Sequence, residues 1–113
     1  MIFGKLFGGG ASAANTIGFD DLRREIDAGA VEVIDVREPS EFRAGHVPGS
    51  RNLPLSRFDP SALPRDRKLV VICLSGARSA NALRHLRQAG FDNAVHFAGG
   101  VSMWRSLGGP LTA

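Results

Sequence analysis

The segment KLVVICLSGARSANALRHLRQAG, residues 68–90, is the most informative part of the sequence for the architecture of the protein. KLVVI (68–72) is a short apolar run rich in valine and isoleucine, which is typical of a strand covered on both faces of a sheet. The residues after the loop repeat apolar side chains at three- and four-residue spacing, which predicts an amphipathic helix closed by Gly90 and Phe91. The apolar face of that helix carries Ala82, Leu83, Leu86 and Ala89. The segment therefore predicts a central strand whose carboxyl end brings Cys73 to the start of a helix.

The residues before this segment predict two further strands and two helices. FDDLRREIDAG (19–29) has helical apolar spacing and acidic residues in its first turn, and Gly29 would end the helix. VEVIDV (31–36) is β-branched and nearly continuous in apolar character, which predicts a buried strand. EPSEFRAGHVPGS then predicts a short helix around 40–44 followed by an ordered turn, with a brief strand near 51–53.

The remaining residues continue the alternation of strands and helices. Prolines at 54, 60 and 64 leave at most a turn or two of helix before residue 68. NAVHF (93–97) predicts a strand, and a short final helix places Val101, Trp104 and Leu107 on one apolar side. We therefore expect an α/β fold with a mainly parallel central sheet and helices on both faces. Ligands of such sheets bind beyond the carboxyl ends of the strands, where Cys73 lies.

Length and composition restrict the class of protein. The 113 residues suffice for one domain, which we place at 16–113, after a flexible lead-in of residues 1–15. The single cysteine excludes an internal disulfide and favours a reducing cytoplasm. The net charge of +3 comes from scattered residues, so we expect no nucleic-acid partner. The apolar residues of the lead-in are interrupted by glycine, which argues against a membrane span.

The surroundings of Cys73 favour a reactive thiolate. Ser75, Gly76 and Ala77 are small residues that let the backbone curl and direct its N–H groups at an anion. A helix N-terminus and a nearby cation, here Arg78, both lower the pKa of a thiol, which makes it a competent nucleophile. The alternative is a buried cysteine that acts as a small apolar residue at the end of a strand.

The sequence from Thr16 to Leu107 resembles a single-domain rhodanese, a sulfurtransferase of the rhodanese-like family. The matching segments are VIDVREPSEFRAGHVPGSRNLP (33–54), CLSGARS (73–79) in the form C-x-x-G-x-R-S, and FAGGVSMW (97–104). The resemblance implies a rhodanese-like parallel α/β fold and a catalytic Cys73 that carries a transferable sulfur as a persulfide. It also implies a loop that surrounds this persulfide. The loop residues are Leu74, Ser75, Gly76, Ala77 and Arg78, followed by Ser79.

The implied reaction moves a sulfane sulfur by a ping-pong scheme. Its donor would be thiosulfate, a small anion, or a persulfide, and its acceptor would be cyanide or a thiol, including a protein thiol. No cofactor is expected, and one cysteine with three dispersed histidines provides no metal-ligand spacing.

Several other matched residues are expected to support the site. Asp35, Arg37 and Glu38 would form a hydrogen-bonded network that braces the loop, and Arg78 could either contact substrate or pair with Asp35 or Glu38. His46 could be a general base, although a turn histidine bonded to backbone is the favoured interpretation. His85 and His96 receive no functional role. Phe97 and Trp104 are expected in the core.

Two other functions remain open from the sequence. The related phosphatase and arsenate reductase loops have the form C-x5-R, whereas Cys73 and Arg78 give C-x4-R, a smaller loop that suits sulfur better than a phosphoryl group. The second alternative is a rhodanese-homology module that only binds partners. Such modules typically lack the cysteine that this chain retains.

Overall fold

A computed structural model describes residues 15–113, which form a four-stranded sheet with helices. Two short 3-10 turns, Leu55–Arg57 and Pro60–Ala62, occupy the proline-rich segment, as its prolines predict. The helices are α1 (Phe19–Asp27), α2 (Pro39–Arg43), α3 (Ala77–Gln88) and α4 (Gly100–Ser106). The strands are β1 (Val31–Asp35), β2 (Arg51–Asn52), β3 (Lys68–Ile72) and β4 (Ala94–His96).

All pairings between these four strands are parallel, in the order β2-β1-β3-β4. Strand β3 is central, as its continuous apolar run predicts, and its last four residues are buried. The pairs Asp35↔Ile72 and Val71↔His96 bring the carboxyl ends of β1, β3 and β4 to one edge of the sheet. Cys73 immediately follows β3 at that edge. The predicted α/β fold is confirmed.

Each face of the sheet packs against helices. On one face, Ile34, Val71 and neighbouring strand residues contact Leu83 and Leu86 of α3. On the other face, Val33, Val70 and Ile72 form a cluster with Leu22 of α1 and Trp104 of α4. These two apolar layers fix β3 between α3 and α4, the helices on either side of the cysteine in space.

Some predicted details differ from the structure. Leu107 was expected on the apolar side of the last helix, but it lies just after α4 and is 51% exposed. The apolar side of α4 is supplied by Val101 and Trp104 instead, because the helix ends at Ser106. The predicted lead-in of residues 1–15 lies, apart from Asn15, outside the described residues.

Candidate active site

The thiol of Cys73 is buried at the carboxyl edge of the sheet, where the residue is only 1% exposed. Its Sγ atom accepts a hydrogen bond from the backbone N–H of Gly76 at 3.0 Å. The Oγ atom of Ser79, in the first turn of α3, lies 3.6 Å from the same sulfur. The residues from Cys73 to Arg78, which we call the cysteine loop, thus bend around the sulfur and surround it with donors.

These donors outweigh the effect of burial on the thiol. Burial raises the pKa of Cys73, since a charge is poorly solvated in the interior. Hydrogen bonds from the Ser79 hydroxyl and from the backbone N–H groups of Ser79, Gly76 and Ser75 favour the thiolate, and the pKa falls below its usual value overall. The cysteine loop therefore favours the nucleophilic form of sulfur.

A left-handed glycine makes this bend possible. Gly76 has a φ angle of +108°, which side chains rarely allow. A Cβ atom at Gly76 would lie 2.3 Å from the carbonyl oxygen of Ala98, far inside van der Waals contact. The position therefore requires glycine for both its backbone angle and its space, and the Gly76 N–H is directed at the sulfur as a result.

The start of α4 holds the carbonyl groups of the cysteine loop. The N–H of Val101 donates to the carbonyl of Cys73 at 2.8 Å, and the N–H of Ser102 donates to that of Leu74 at 3.1 Å. Gly100 allows this approach, because a Cβ there would lie 2.2 Å from the Leu74 oxygen. The loop oxygens are thus engaged by α4, while loop N–H groups are available to the sulfur. This contact gives the second glycine of FAGG, Gly100, a structural role.

The guanidinium of Arg78 pairs with Glu41 of α2. Its Nη1 and Nη2 atoms donate to Oε1 and Oε2 of Glu41 at 2.7 and 3.0 Å, in a two-bond arrangement. The hydrogen bond to Arg78 lowers the pKa of Glu41 from 4.5 to about 2, and the same contact raises the pKa of Arg78. The sequence suggested Asp35 or Glu38 as the partner, and this detail was wrong. The bracing role proposed for Arg78 has its partner in α2, three residues after Glu38.

Asp35 and Arg37 form a separate buried pair. The Nη2 atom of Arg37 lies 2.8 Å from Oδ2 of Asp35 and also donates to the carbonyl of Gly45 at 2.8 Å. The side chain of Asn52 donates to the backbone oxygens of both Asp35 and Arg37. The pair therefore ties the end of β1 to the turn after α2 and to β2.

Glu38 lies at the N-terminus of α2 and forms a capping box with Glu41. Its Oε2 atom also accepts a hydrogen bond from the hydroxyl of Ser56 at 2.9 Å. Because Glu41 both caps α2 and binds Arg78, the capping box connects Glu38 to the cysteine loop through one intermediate side chain.

His46 occupies an ordered turn. Its Nδ1–H donates to the carbonyl of Phe42 at 2.8 Å, and its ring stacks on that of Phe42 with centroids 3.7 Å apart. Its backbone N–H donates to the carbonyl of Thr112 at 2.8 Å. This geometry agrees with the turn interpretation of His46. His85 lies exposed on α3, as its place on the polar face predicts.

The structure adds His96 to the neighbourhood of the thiol. His96 ends β4, is only 8% exposed, and places Nδ1 2.8 Å from Oγ of Ser79. The sequence analysis gave His96 no role. Its position as the last residue of an apolar strand next to β3 was the available signal, since parallel neighbours bring their carboxyl ends together.

Two expected absences concern the described part of the chain. Residues 15–113 contain no group of three or more histidine, cysteine or acidic side chains placed to hold a metal ion. Among the same residues, no helix has the length and apolar character needed to cross a bilayer.

Comparison with known proteins agrees with this geometry. The sequence model of the family described as "Rhodanese-like domain" matches residues 19–107. The chain belongs to the rhodanese-like family. Residue 73 and the cysteine loop lie inside the matched range, as do α2 and β4.

Three rhodanese-like relatives show the range of similarity. The uncharacterized protein slr1261 of Synechocystis is 45% identical over 83 residues, which cover 72% of this chain but 46% of that protein. Thiosulfate sulfurtransferase GlpE of Shewanella oneidensis is 34% identical over 96 residues, covering 82% of this chain and 94% of GlpE. A crystal structure of a rhodanese-related protein from Thermoplasma volcanium has a TM-score of 0.80 at 40% identity, covering 87% of this chain and 97% of that one. The chain thus spans about half of the first relative and nearly all of the other two.

Proposed function

We propose that the protein is a sulfurtransferase that carries a sulfane sulfur as a persulfide on Cys73. The observation that carries the proposal is the convergence of donors on one buried sulfur, with the Gly76 N–H at 3.0 Å and the Ser79 hydroxyl at 3.6 Å. Such fixed donors stabilise an anionic sulfur without reorganisation during the reaction. The name of the similar Shewanella protein, a thiosulfate sulfurtransferase, supports the same activity.

In the first half-reaction, the Cys73 thiolate attacks the outer sulfur of thiosulfate. A bond forms between Sγ and that sulfur, the sulfur–sulfur bond of thiosulfate breaks, and its electron pair leaves with sulfite. The product is a persulfide with one negative charge on its outer sulfur. A persulfide donor would react in the same way and release a thiolate. The loop N–H groups are placed to stabilise the anionic form throughout.

In the second half-reaction, the acceptor attacks the outer sulfur of the persulfide. Cyanide forms a carbon–sulfur bond and leaves as thiocyanate, while the electron pair of the broken sulfur–sulfur bond returns to Cys73 as thiolate. A thiol acceptor in its thiolate form takes the sulfur as a new persulfide. Atoms and electrons balance in both half-reactions without a metal or an organic cofactor. The reaction needs a free thiol, which agrees with our proposal of a reducing cytoplasm.

The Arg78–Glu41 pair bears on the choice of donor. Because Glu41 neutralises Arg78 through two hydrogen bonds, we propose that Arg78 braces the cysteine loop and contributes little to binding anions. Leu74, in the same loop, is 41% exposed and offers an apolar surface. We therefore propose modest selectivity for thiosulfate and efficient use of a thiol-derived persulfide donor.

Intact mass spectrometry tests the proposal. Wild type and Cys73→Ser are incubated with thiosulfate or with glutathione persulfide, separated from the donor, weighed, and then treated with cyanide. We expect wild type alone to gain one sulfur atom, and cyanide to remove it as thiocyanate. If wild type gains no sulfur from either donor, the proposal is wrong and a partner-binding module becomes the better interpretation.

A further inference from the structure

His96, Ser79 and Cys73 form a continuous chain of polar contacts. Oγ of Ser79 lies 2.8 Å from Nδ1 of His96 and 3.6 Å from Sγ of Cys73. All three residues are buried, and each comes from a different part of the fold, the ends of β4, α3 and β3. The reaction proposed above uses the sulfur and the hydroxyl but leaves the imidazole without a role. A buried titratable group in such a chain is placed to move a proton.

His96 also lines a cavity beside α3. The cavity has a volume of about 460 Å³, and its lining includes His96 but no residue of the cysteine loop. Nδ1 is the ring atom that contacts Ser79, so Nε2, on the opposite edge of the ring, is the nitrogen available to this cavity. The imidazole therefore stands between the buried sulfur and a cavity large enough for several water molecules.

We propose that Ser79 and His96 form a proton exit from Cys73 to this cavity, with His96 as a positioning residue that acts through Ser79. The thiol proton passes to Oγ of Ser79, and the hydroxyl proton passes to Nδ1 of His96. The proton on Nε2 leaves for water in the cavity. After these three transfers, Cys73 is a thiolate, the Ser79 hydroxyl is neutral, the imidazole of His96 is neutral with its proton on Nδ1, and one proton is in the solvent.

The hydrogen bonds open to Ser79 require the tautomer of His96 to change when Cys73 ionises. The Ser79 hydroxyl has a single proton and three acceptors in reach, namely the sulfur, Nδ1 of His96 and, at 3.1 Å, the carbonyl of Gly76. A thiol can donate to Oγ while the hydroxyl donates to Nδ1. A thiolate needs the hydroxyl proton for itself, so Nδ1 must then carry a proton and donate to Oγ. Ionisation of Cys73 and the tautomer of His96 are thereby coupled.

Burial lowers the pKa of His96, which favours the neutral ring that the exchange between tautomers requires. The charged residues that line the same cavity are Arg84 and Arg87 of α3, and their positive charges also disfavour an imidazolium ion. Cys73, which follows β3, is connected to the ring through Ser79. The segment before α1 contributes the uncharged Asn15 to the cavity lining and Thr16 to a backbone bridge with His96. Beyond the sulfur, the Arg78–Glu41 pair contributes opposite charges that largely cancel.

Nuclear magnetic resonance tests the coupling in wild type without altering the site. The imidazole nitrogen shifts of His96 distinguish its tautomers, while ultraviolet absorbance follows the Cys73 thiolate. The chain contains no tyrosine, so no tyrosinate obscures the thiolate signal. We expect His96 to change from the Nε2–H to the Nδ1–H tautomer over the pH range in which the thiolate appears. In Cys73→Ser we expect no such change. An unaltered tautomer during wild-type thiolate formation would overturn the proposal.

Substitutions give a second readout. We expect the thiolate pKa to rise by about one unit in Ser79→Ala, because a hydrogen bond to an ionised group is lost. His96→Asn keeps a polar partner for Ser79 but cannot exchange protons between two ring nitrogens, and we expect a similar rise. The matched control is His85→Asn on the exposed face of α3, which should leave the thiolate pKa unchanged. Equal pKa values in His96→Asn and His85→Asn would refute the role of His96.

The proposal rests on the proposed function only in requiring that Cys73 reacts as a thiolate. Neither titration uses a sulfur donor, so both can be interpreted if the mass experiment finds no persulfide. Conversely, a persulfide that forms normally in His96→Asn, with an unchanged thiolate pKa, would support sulfur transfer while rejecting the proton exit. The two proposals therefore fail separately.

Discussion

The guanidinium of Arg78 contacts both carboxylate oxygens of Glu41, at 2.7 and 3.0 Å. This contact joins the first turn of α3 to α2 through two residues that are 37 positions apart in sequence. Because the side chains are about one third exposed, the pair is accessible to salt and to protons. Its contribution to the folded state can therefore be separated from its effect on the sulfur.

Replacement of Arg78 tests the bracing role. In Arg78→Lys the charge remains, but the two parallel hydrogen bonds cannot form. We expect the free energy of unfolding to fall by about 0.5–1 kcal/mol, together with a lower rate of sulfur transfer. Urea unfolding and steady-state kinetics with thiosulfate measure the two effects. An unchanged stability with a strongly raised KM for thiosulfate would instead assign Arg78 to anion binding.

The pH dependence of stability tests Glu41. The pKa of Glu41 is lowered from 4.5 to about 2 in the folded protein, so its carboxylate stabilises the fold above about pH 4.5. That stability is lost as the pH falls from about 4.5 toward 2, because in this range the carboxyl of Glu41 binds a proton more readily in the unfolded state than in the folded state. Glu41→Gln retains an acceptor for the Glu38 N–H and is the matched variant.

We expect wild type to exceed Glu41→Gln in stability by about 1 kcal/mol at pH 6, after allowance for solvent screening of a partly exposed pair. The two proteins should converge as the pH approaches 2. Urea unfolding at several pH values between these limits measures the difference. A gap that is constant with pH would show that Glu41 stabilises the fold without its charge.

Glycine 76 offers a test of the loop geometry. Gly76→Ala adds a Cβ at a φ of +108° and 2.3 Å from the Ala98 oxygen, so the loop must move and its N–H must leave the sulfur. We expect a loss of about 2 kcal/mol or more in stability and of most persulfide formation. Gly108→Ala is the control, since Gly108 has a φ of +87° and an added Cβ would meet no atom within 4 Å.

The control variant Gly108→Ala should lose only about 1 kcal/mol of stability, from backbone strain, and should retain full sulfur transfer. Thermal unfolding and the mass assay for persulfide compare the two variants directly. Similar persulfide yields in both alanine variants would contradict the role assigned to the Gly76 N–H.

The buried pair of Asp35 and Arg37 should be far more sensitive than a surface pair. Arg37→Ala leaves the Asp35 carboxylate buried without its partner, for which we expect a loss of about 3–5 kcal/mol in stability. Arg51→Ala breaks the more exposed contact with Glu32 at 3.5 Å and should cost less than about 1 kcal/mol. Chemical denaturation measures both, and comparable losses would contradict the structural role of the buried pair.

The sequence predicted the parts of the site that depend on local pattern. The apolar run 68–72, the small residues after Cys73 and the helical spacing from residue 77 each have a local physical cause, so the position of the thiol could be predicted from them. The same holds for the side chain of His46, which follows a short helix and contacts Phe42, four residues earlier.

Partners across the fold were harder to predict. Glu41 was missed because Asp35 and Glu38 are nearer the end of β1, yet Asp35 is already bound to Arg37 and Glu38 lies at the N-terminus of α2. His96 was missed because the sequence shows only that it lies in a strand. Its contact with Ser79 depends on the register of β3 and β4, which the sequence pattern does not give. Such choices are made by tertiary packing, which local spacing does not specify.

The N–H groups of Val101 and Ser102 hold the carbonyls of Cys73 and Leu74, and this contact gives the site an order of assembly. Residues 73–79 precede residues 101 and 102 in the sequence, so the segment that carries the sulfur is synthesised before the residues that hold its carbonyl groups. We therefore expect a chain cut before residue 101 to hold the cysteine loop less firmly and to keep a smaller fraction of Cys73 as thiolate.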